Sequence, residues 1–390
     1  MVRPTVGELT PPNRTLMGPG PSDVHPRVLR AQATPLVGHL DPAFLDVMDD
    51  TQDLLRDVFR TDNEWTIPVS GTGSAAMEAA ISNLTEPDDE VLVPSNGYFG
   101  GRMAEMVRRA GGTVRQVDAP WGQPLDPDDV AAAFDSYDID LFGFVHAETS
   151  TGTLQPRVPE LTDIAHGNDA LVIADTVTSL GGVPFETDAW DVDVAYSASQ
   201  KCLSAPPGVS PLTISDRAMD RIERREMSVR SWYLDLSLLE EYWGSERAYH
   251  HTAPISSVYA LREALRIASE EGIETRWERH HRVAGALRDG LEAMGLSLVS
   301  ESWLPSLNAV YVPDGVAADA VTDRLLTEHD IEVAGGLGDL AGDALRIGCM
   351  GYSARPTNVL SLLAALGEVF DFLDADVDVD DALAAARAAL

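Results

Sequence analysis

Short continuous apolar runs alternate, through the first two-thirds of the chain, with longer stretches of helical periodicity. Trp65–Ser70 reads as a short strand, followed by a glycine turn and a helix from about Ala75 to Leu84. Glu90–Pro94 is a second apolar run, with a helix from about Gly101 to Ala110 behind it. Leu141–Val145 and Leu171–Ala174 are apolar throughout, as strands covered on both faces are, and the segment between them from about Val158 to His166 is helical. Val192–Val194 begins another short strand. Strand, helix, strand, helix is the order of an α/β layer with a mainly parallel sheet.

After about residue 253 the pattern changes. Ile255–Glu271 and Thr275–Met294 form long helical runs; strand-like runs follow at Asn308–Val312, Ile331–Ala334 and Leu345–Ile347, then a helix over about Asn358–Leu373. The expected organisation is an N-terminal arm (residues 1–20), a large α/β domain (21–271) and a smaller α+β domain (272–390). The aspartates at 374, 376, 378, 380 and 381 read as the solvated lead-in to a last, alanine-rich helix.

Composition narrows the partners. With 28 basic and 63 acidic residues the net charge is −35, a poor match to a phosphate backbone or an anionic membrane surface. No stretch is apolar enough to span a bilayer, and Met1–Leu16 has no apolar core of a signal peptide, so a cytoplasmic location is expected. Cys202 and Cys349 suggest no disulfide framework. An acidic, lysine-poor surface suits a halophile's protein, hydrated in concentrated salt. Lys201 is the single lysine; the other basic residues are arginines, whose guanidinium cannot replace an amine nucleophile.

Three loops can carry chemistry. Gly71-Thr72-Gly73-Ser74 joins a strand to a helix, where backbone N–H groups and hydroxyls make an anion site, although plain tight turns use the same residues. Asp175 ends an apolar strand, the place where open α/β sheets put their ligand crevice; a cap aspartate reads equally well there. Lys201 follows another short strand in Ser199-Gln200-Lys201-Cys202, before the irregular Ala205-Pro206-Pro207-Gly208. A lysine amine, a buried aspartate and a phosphate-binding helix start are together what pyridoxal phosphate chemistry requires.

With these stretches the chain resembles the alanine–glyoxylate (serine–pyruvate) aminotransferase group of the class V, fold-type I pyridoxal phosphate enzymes. The likeness runs through Gly18-Pro19-Gly20-Pro21-Ser22, the Gly71–Ser74 turn, Glu148–Gly152, Asp175 with Ser179–Gly182, Gln200-Lys201 with Pro206–Gly208, Tyr249–Thr252, Gly335–Gly338 and Leu345–Gly348. It implies that Lys201 forms the Schiff base with pyridoxal 5′-phosphate and moves the proton, while Asp175 pairs with the pyridinium nitrogen. Thr72, Gly73, Ser74 and Gln200 would hold the phosphate. Phe99 would stack on the ring where animal enzymes use tryptophan, with Thr149 and Val177 as further cofactor contacts. Arg346 would grip the substrate carboxylate, with His39 as a second substrate-binding residue. Tyr249 and Thr252 would complete the neighbouring site of a homodimer.

The substrates implied are small amino acids and 2-oxo acids: alanine or serine as donor, glyoxylate or pyruvate as acceptor. Ureidoglycine is the second choice of donor, because its transaminases carry a glutamine and an asparagine where this chain has His39 and Tyr249; aspartate is third. His250-His251 invites a metal reading, but no cysteine or carboxylate cluster accompanies it. Cys349 follows Arg346 inside an apolar run and reads as a core residue, not as a desulfurase nucleophile. A pyridoxal-binding DNA regulator would need a basic domain that this chain lacks.

Overall fold

The computed structural model describes residues 6–390. Seven strands form the central sheet: β1 (Trp65–Ser70), β2 (Glu90–Leu92), β3 (Thr113–Arg115), β4 (Leu141–Val145), β5 (Leu171–Asp175), β6 (Val194–Tyr196) and β7 (Val209–Ile214), in the order β1-β7-β6-β5-β4-β2-β3. The pairs from β6 through β3 are parallel, whereas β7 is antiparallel to both β6 and β1. Every residue of β4 is buried, as its unbroken apolar run requires. The chain is thus an α/β protein with a mixed, mainly parallel sheet.

Among the elements that the sequence pattern leaves hidden are β7 and the helix Pro42–Phe59. β7 contains Pro211, which lacks the N–H of a ladder residue, yet the strand lies inside the sheet with Pro211 in register with Pro68 of β1. The helix Pro42–Phe59 starts from the Asp41 cap, whose carboxylate accepts from Ala43 N at 2.9 Å, and ends at Arg60 in the left-handed region (φ 57°). Its apolar face (Phe44, Met48, Leu55, Phe59) is fully buried in the core of the large sheet.

A second core forms around Val283, Leu287, Leu345, Ile347, Leu363 and Phe370. It lies under a three-stranded antiparallel sheet of β8 (Leu307–Tyr311), β9 (Ala334–Gly335) and β10 (Ala344–Gly348), with β10 in the middle. The Ile273–Ala293 helix serves both cores: Ile273 and Trp277 pack into the first, Val283 to Leu291 into the second. The run expected as one strand over Ile331–Ala334 is divided. Ile331–Glu332 pairs in parallel with Thr15–Leu16 of the arm, and the backbone then leaves that partner so that Ala334–Gly335 joins Arg346–Leu345. One short segment cannot bond both neighbours from the same residues. Past this point the arm continues toward the large domain, with Gly348 N donating to Met17 O at 2.7 Å and Ser22 N to Gln200 O at 2.9 Å.

Candidate active site

Asp175 is the last residue of β5, and the parallel register sets Tyr196 of β6 directly opposite it. The Tyr196 hydroxyl donates to Asp175 Oδ2 at 3.0 Å and Val177 N donates to Oδ1 at 2.8 Å. Burial pushes the carboxyl up to about 6; these two donors oppose the shift, and the Glu148 charge adds to it. Such a group gains from a cationic hydrogen-bond partner. Tyr196 escaped the sequence reading because strand register is a tertiary fact.

Lys201 is 9% exposed. Burial lowers its amine from 10.5 to about 8, and the nearby Arg346 charge lowers it further, while Asp175 and Glu148 oppose. Its Nζ donates to Pro19 O of the arm. Gly20 packs against the lysine stem: at φ +112°, a Cβ there would lie 2.8 Å from Lys201 Cδ. The neutral amine is the nucleophilic form, and its fraction grows as pH rises through the pKa. At pH 7.5 about a quarter of such amines are neutral, against about a thousandth for an ordinary lysine. The rate at which cofactor-free protein takes up pyridoxal phosphate, followed by stopped-flow absorbance, should therefore rise with pH and level off above about 8. A rate still climbing at pH 10 would show that Lys201 keeps ordinary basicity.

Gly73–Leu84 is the helix behind the glycine turn. Thr72 is its N-cap residue but makes no side-chain cap bond, so its hydroxyl and the amides of Gly73 and Ser74 remain open to a ligand, while Ala75 N donates to Thr72 O at 2.7 Å. Gly73 packs against the loops that follow β5 and β6; a Cβ there would meet Ala198 Cβ at 3.1 Å and Val177 Cγ2 at 3.4 Å. Phe99 is the second residue of the Tyr98–Ala110 helix, and its N–H donates to the fully buried Glu148. Glu148 also accepts from Ser150 N (3.0 Å) and Ser150 Oγ (2.6 Å), and so ties the Phe99 and Thr149 segments together. Thr149 Oγ1 bonds Thr178 Oγ1. The buried end of the Gln200 side-chain amide (Oε1) has no protein partner.

Arg346 sits in the central strand β10, 8% exposed. Its Nε donates to Gly335 O at 2.8 Å, which sets the plane of the guanidinium. Among the described residues no carboxylate pairs with it, and burial lowers its basicity. A cation held this way is suited to a bidentate carboxylate ligand.

The arrangement matches known proteins closely. The model of the aminotransferase class-V family covers residues 28–340. The structure of the ureidoglycine–glyoxylate aminotransferase from Bacillus subtilis superposes with a TM-score of 0.96 at 41% identity, over 98% of this chain and 99% of that one. The alanine–glyoxylate aminotransferase structure from Nostoc sp. gives 0.92 at 50% identity, over 94% and 97%. The alanine–glyoxylate aminotransferase of Drosophila melanogaster is 38% identical over 92% of each chain. The chain is a class V aminotransferase.

The cofactor of this aminotransferase is pyridoxal 5′-phosphate, and the residues present suit it. A buried carboxyl needing a cation, a shielded amine of lowered basicity and an uncapped helix start are three separate features that this one molecule would satisfy. His39, Tyr249 and Thr252 are not drawn into the cluster. Tyr249 is 63% exposed, Thr252 is exposed, and the contact of the Tyr249 ring is with His39, centroids 5.3 Å apart. His39 Nε2 is buried without a partner. His251 reaches Ser70 at 2.7 Å, next to the glycine turn, and lies with its Nδ1 2.8 Å from that of His250. Cys349 is buried, its thiol pushed up to about 12 by burial.

Proposed function

We propose that this aminotransferase moves the amino group of alanine or serine to glyoxylate or pyruvate by a ping-pong route, with Lys201 as the acid–base group. The observation that carries this reading is the unpaired Arg346 guanidinium within electrostatic reach of the buried Lys201 amine. One side chain would hold an α-carboxylate and the other would work at the α-carbon. The alanine–glyoxylate relatives support the donor.

Arg346 would fix the carboxylate of donor and acceptor alike, since each half-reaction presents the same group. Asp175, held by Tyr196 and Val177, would keep a proton on the pyridine nitrogen. Bound pyridoxal phosphate supplies an electron sink that makes the substrate α-hydrogen acidic. Lys201 Nζ, neutral in a substantial fraction of molecules at physiological pH, would take that proton from the α-carbon. Thr72, Gly73, Ser74 and Gln200 would hold the phosphate, and Phe99, Thr149 and Val177 the ring. The test is a panel of donors and acceptors: alanine with glyoxylate should yield pyruvate and glycine. Ureidoglycine is the second reading, favoured by the close superposition on the B. subtilis enzyme. If ureidoglycine or aspartate outran alanine and serine by about a hundredfold, the donor assignment would fall.

His39 and Tyr249, the positions that differ from the ureidoglycine group, are neighbours in the fold. We assign Tyr249 and Thr252 to the neighbouring site of a homodimer, because an exposed tyrosine suits a surface that meets another subunit, and His39, with its unpartnered buried imidazole nitrogen, to substrate binding. Tyr249→Phe with Thr252→Ala should weaken cofactor binding about tenfold in a species that sediments as a dimer; a monomer of full activity would refute this. The charge of −35 supports a halophilic, cytoplasmic enzyme. Its melting temperature and rate should both rise between about 0.1 M and molar KCl as repulsion is screened. A flat salt response would remove that reading.

A further inference from the structure

The main chain beneath Lys201 is held by a chain of hydrogen bonds with one possible direction. Tyr352 N donates to Ser204 Oγ at 2.7 Å; Ser204 Oγ lies 2.9 Å from Ser22 Oγ; Ser22 Oγ lies 2.8 Å from Lys201 O. An amide N–H can only donate and a carbonyl oxygen can only accept. Both ends are therefore fixed: Tyr352 gives to Ser204, Ser204 to Ser22, and Ser22 to the lysine carbonyl. Both serines are buried, at 4% and 3% exposure.

Ser204 adopts φ +56°, a left-handed conformation that costs a residue with a Cβ and favours glycine. A serine there gives up backbone comfort to place a hydroxyl. The turn it meets is shaped around that hydroxyl. Gly351 has φ +52°, and a Cβ on it would lie 1.9 Å from Ser204 Oγ and 2.7 Å from Cys202 O. Gly351 N donates to His280 Nε2 at 2.8 Å, and His280 Nδ1 meets Arg276 O at 2.7 Å, so the imidazole is a neutral tautomer. Arg276 in turn donates to Cys202 O at 2.5 Å and to Gly181 O at 3.0 Å, and pairs with Glu271 at 2.8 Å. The carbonyls of Lys201 and Cys202 are thus both held by side chains from other parts of the fold.

We propose that Ser204, acting through Ser22, is a positioning residue that fixes the Lys201 backbone and couples it to the turn following Arg346. The inference rests on the role assigned to Lys201 above. With the cofactor bound, the Lys201 amine would have to reach the same atoms in every cycle, and its path is reproducible only if its Cα stays in place. Because Tyr352 lies six residues beyond Arg346 on the same segment, the carboxylate grip and the amine share one support.

The experiment uses the holoenzyme with Ser204→Gly, Ser22→Ala and the pair combined. Glycine suits φ +56°, so Ser204→Gly removes the hydroxyl while easing the backbone. Each single change should shift the midpoint of the pH titration of the cofactor's visible absorbance. Each should also lower kcat about tenfold with KM within about twofold. The double variant should be no worse than either single, since one chain is broken once. A merely structural tie would lower the melting temperature and leave titration and kcat at wild-type values, and that result, or additive losses, overturns the proposal. Lys201→Arg run alongside separates the two levels: if it keeps the visible band, the lysine assignment fails. If it loses the band while Ser204→Gly titrates as wild type, only the positioning role fails.

Discussion

Lys201→Arg is expected to abolish the visible absorbance of the bound cofactor and to lower turnover by about four orders of magnitude or more. The site accepts a cationic stem: Pro19 O remains as a hydrogen-bond acceptor, and the side chain still lies against Gly20. What is lost is the neutral amine. Lysine in this environment deprotonates near pH 8, whereas a guanidinium stays charged and offers no nucleophilic nitrogen. The variant should therefore fold, with a melting temperature a few degrees lower because two buried guanidinium groups, at 201 and 346, now repel each other. Absorbance, turnover with alanine and glyoxylate, and thermal unfolding on the same preparation check the three statements. Turnover near wild type would end the assignment, because the chain has no second lysine to take over.

Asp175→Asn should lower kcat about a thousandfold while the protein still binds pyridoxal phosphate. Asparagine keeps the size of the side chain and one acceptor for Tyr196 or Val177, so packing changes little. It removes the negative charge that a protonated pyridine nitrogen needs in this buried place. Without that charge the nitrogen holds its proton poorly, and electron withdrawal from the substrate α-carbon weakens. Binding should survive because the phosphate contacts proposed for Thr72–Ser74 and Gln200 would be separate from the ring nitrogen. Equilibrium dialysis for affinity and steady-state rates for kcat separate the two effects. A variant that loses affinity and keeps its rate per bound cofactor would place Asp175 in binding and not in proton control.

The central strands, the glycine turn and the charged groups were legible from sequence because each leaves a local mark. Leu141–Val145 is apolar at every position since both its faces are covered. Gly71-Thr72-Gly73-Ser74 falls between a strand and a helix, and a single lysine stands out in a chain of arginines. The partners of these groups left no such mark. Tyr196 is an ordinary strand residue until register puts it against Asp175, and Glu148 is one carboxylate among 63 acidic side chains until it is seen to bind the Phe99 amide. Strand β7 was hidden by its proline, and Ile331–Ala334 divides between two sheets because its neighbours come from distant parts of the chain.

Local chemistry thus sufficed to single out candidates: a lone lysine, a strand-end aspartate and a glycine-rich helix start carry their character wherever the chain takes them. The electrostatic state in which they react belongs to the folded molecule alone. Lys201 is lowered to about 8 and Asp175 raised to about 6 by exclusion from water, and that exclusion is produced by the arm, the sheet and the second core closing on one another. The hydrogen-bond chain from Tyr352 to Lys201 O joins residues 22, 204 and 352, which no sequence spacing could relate.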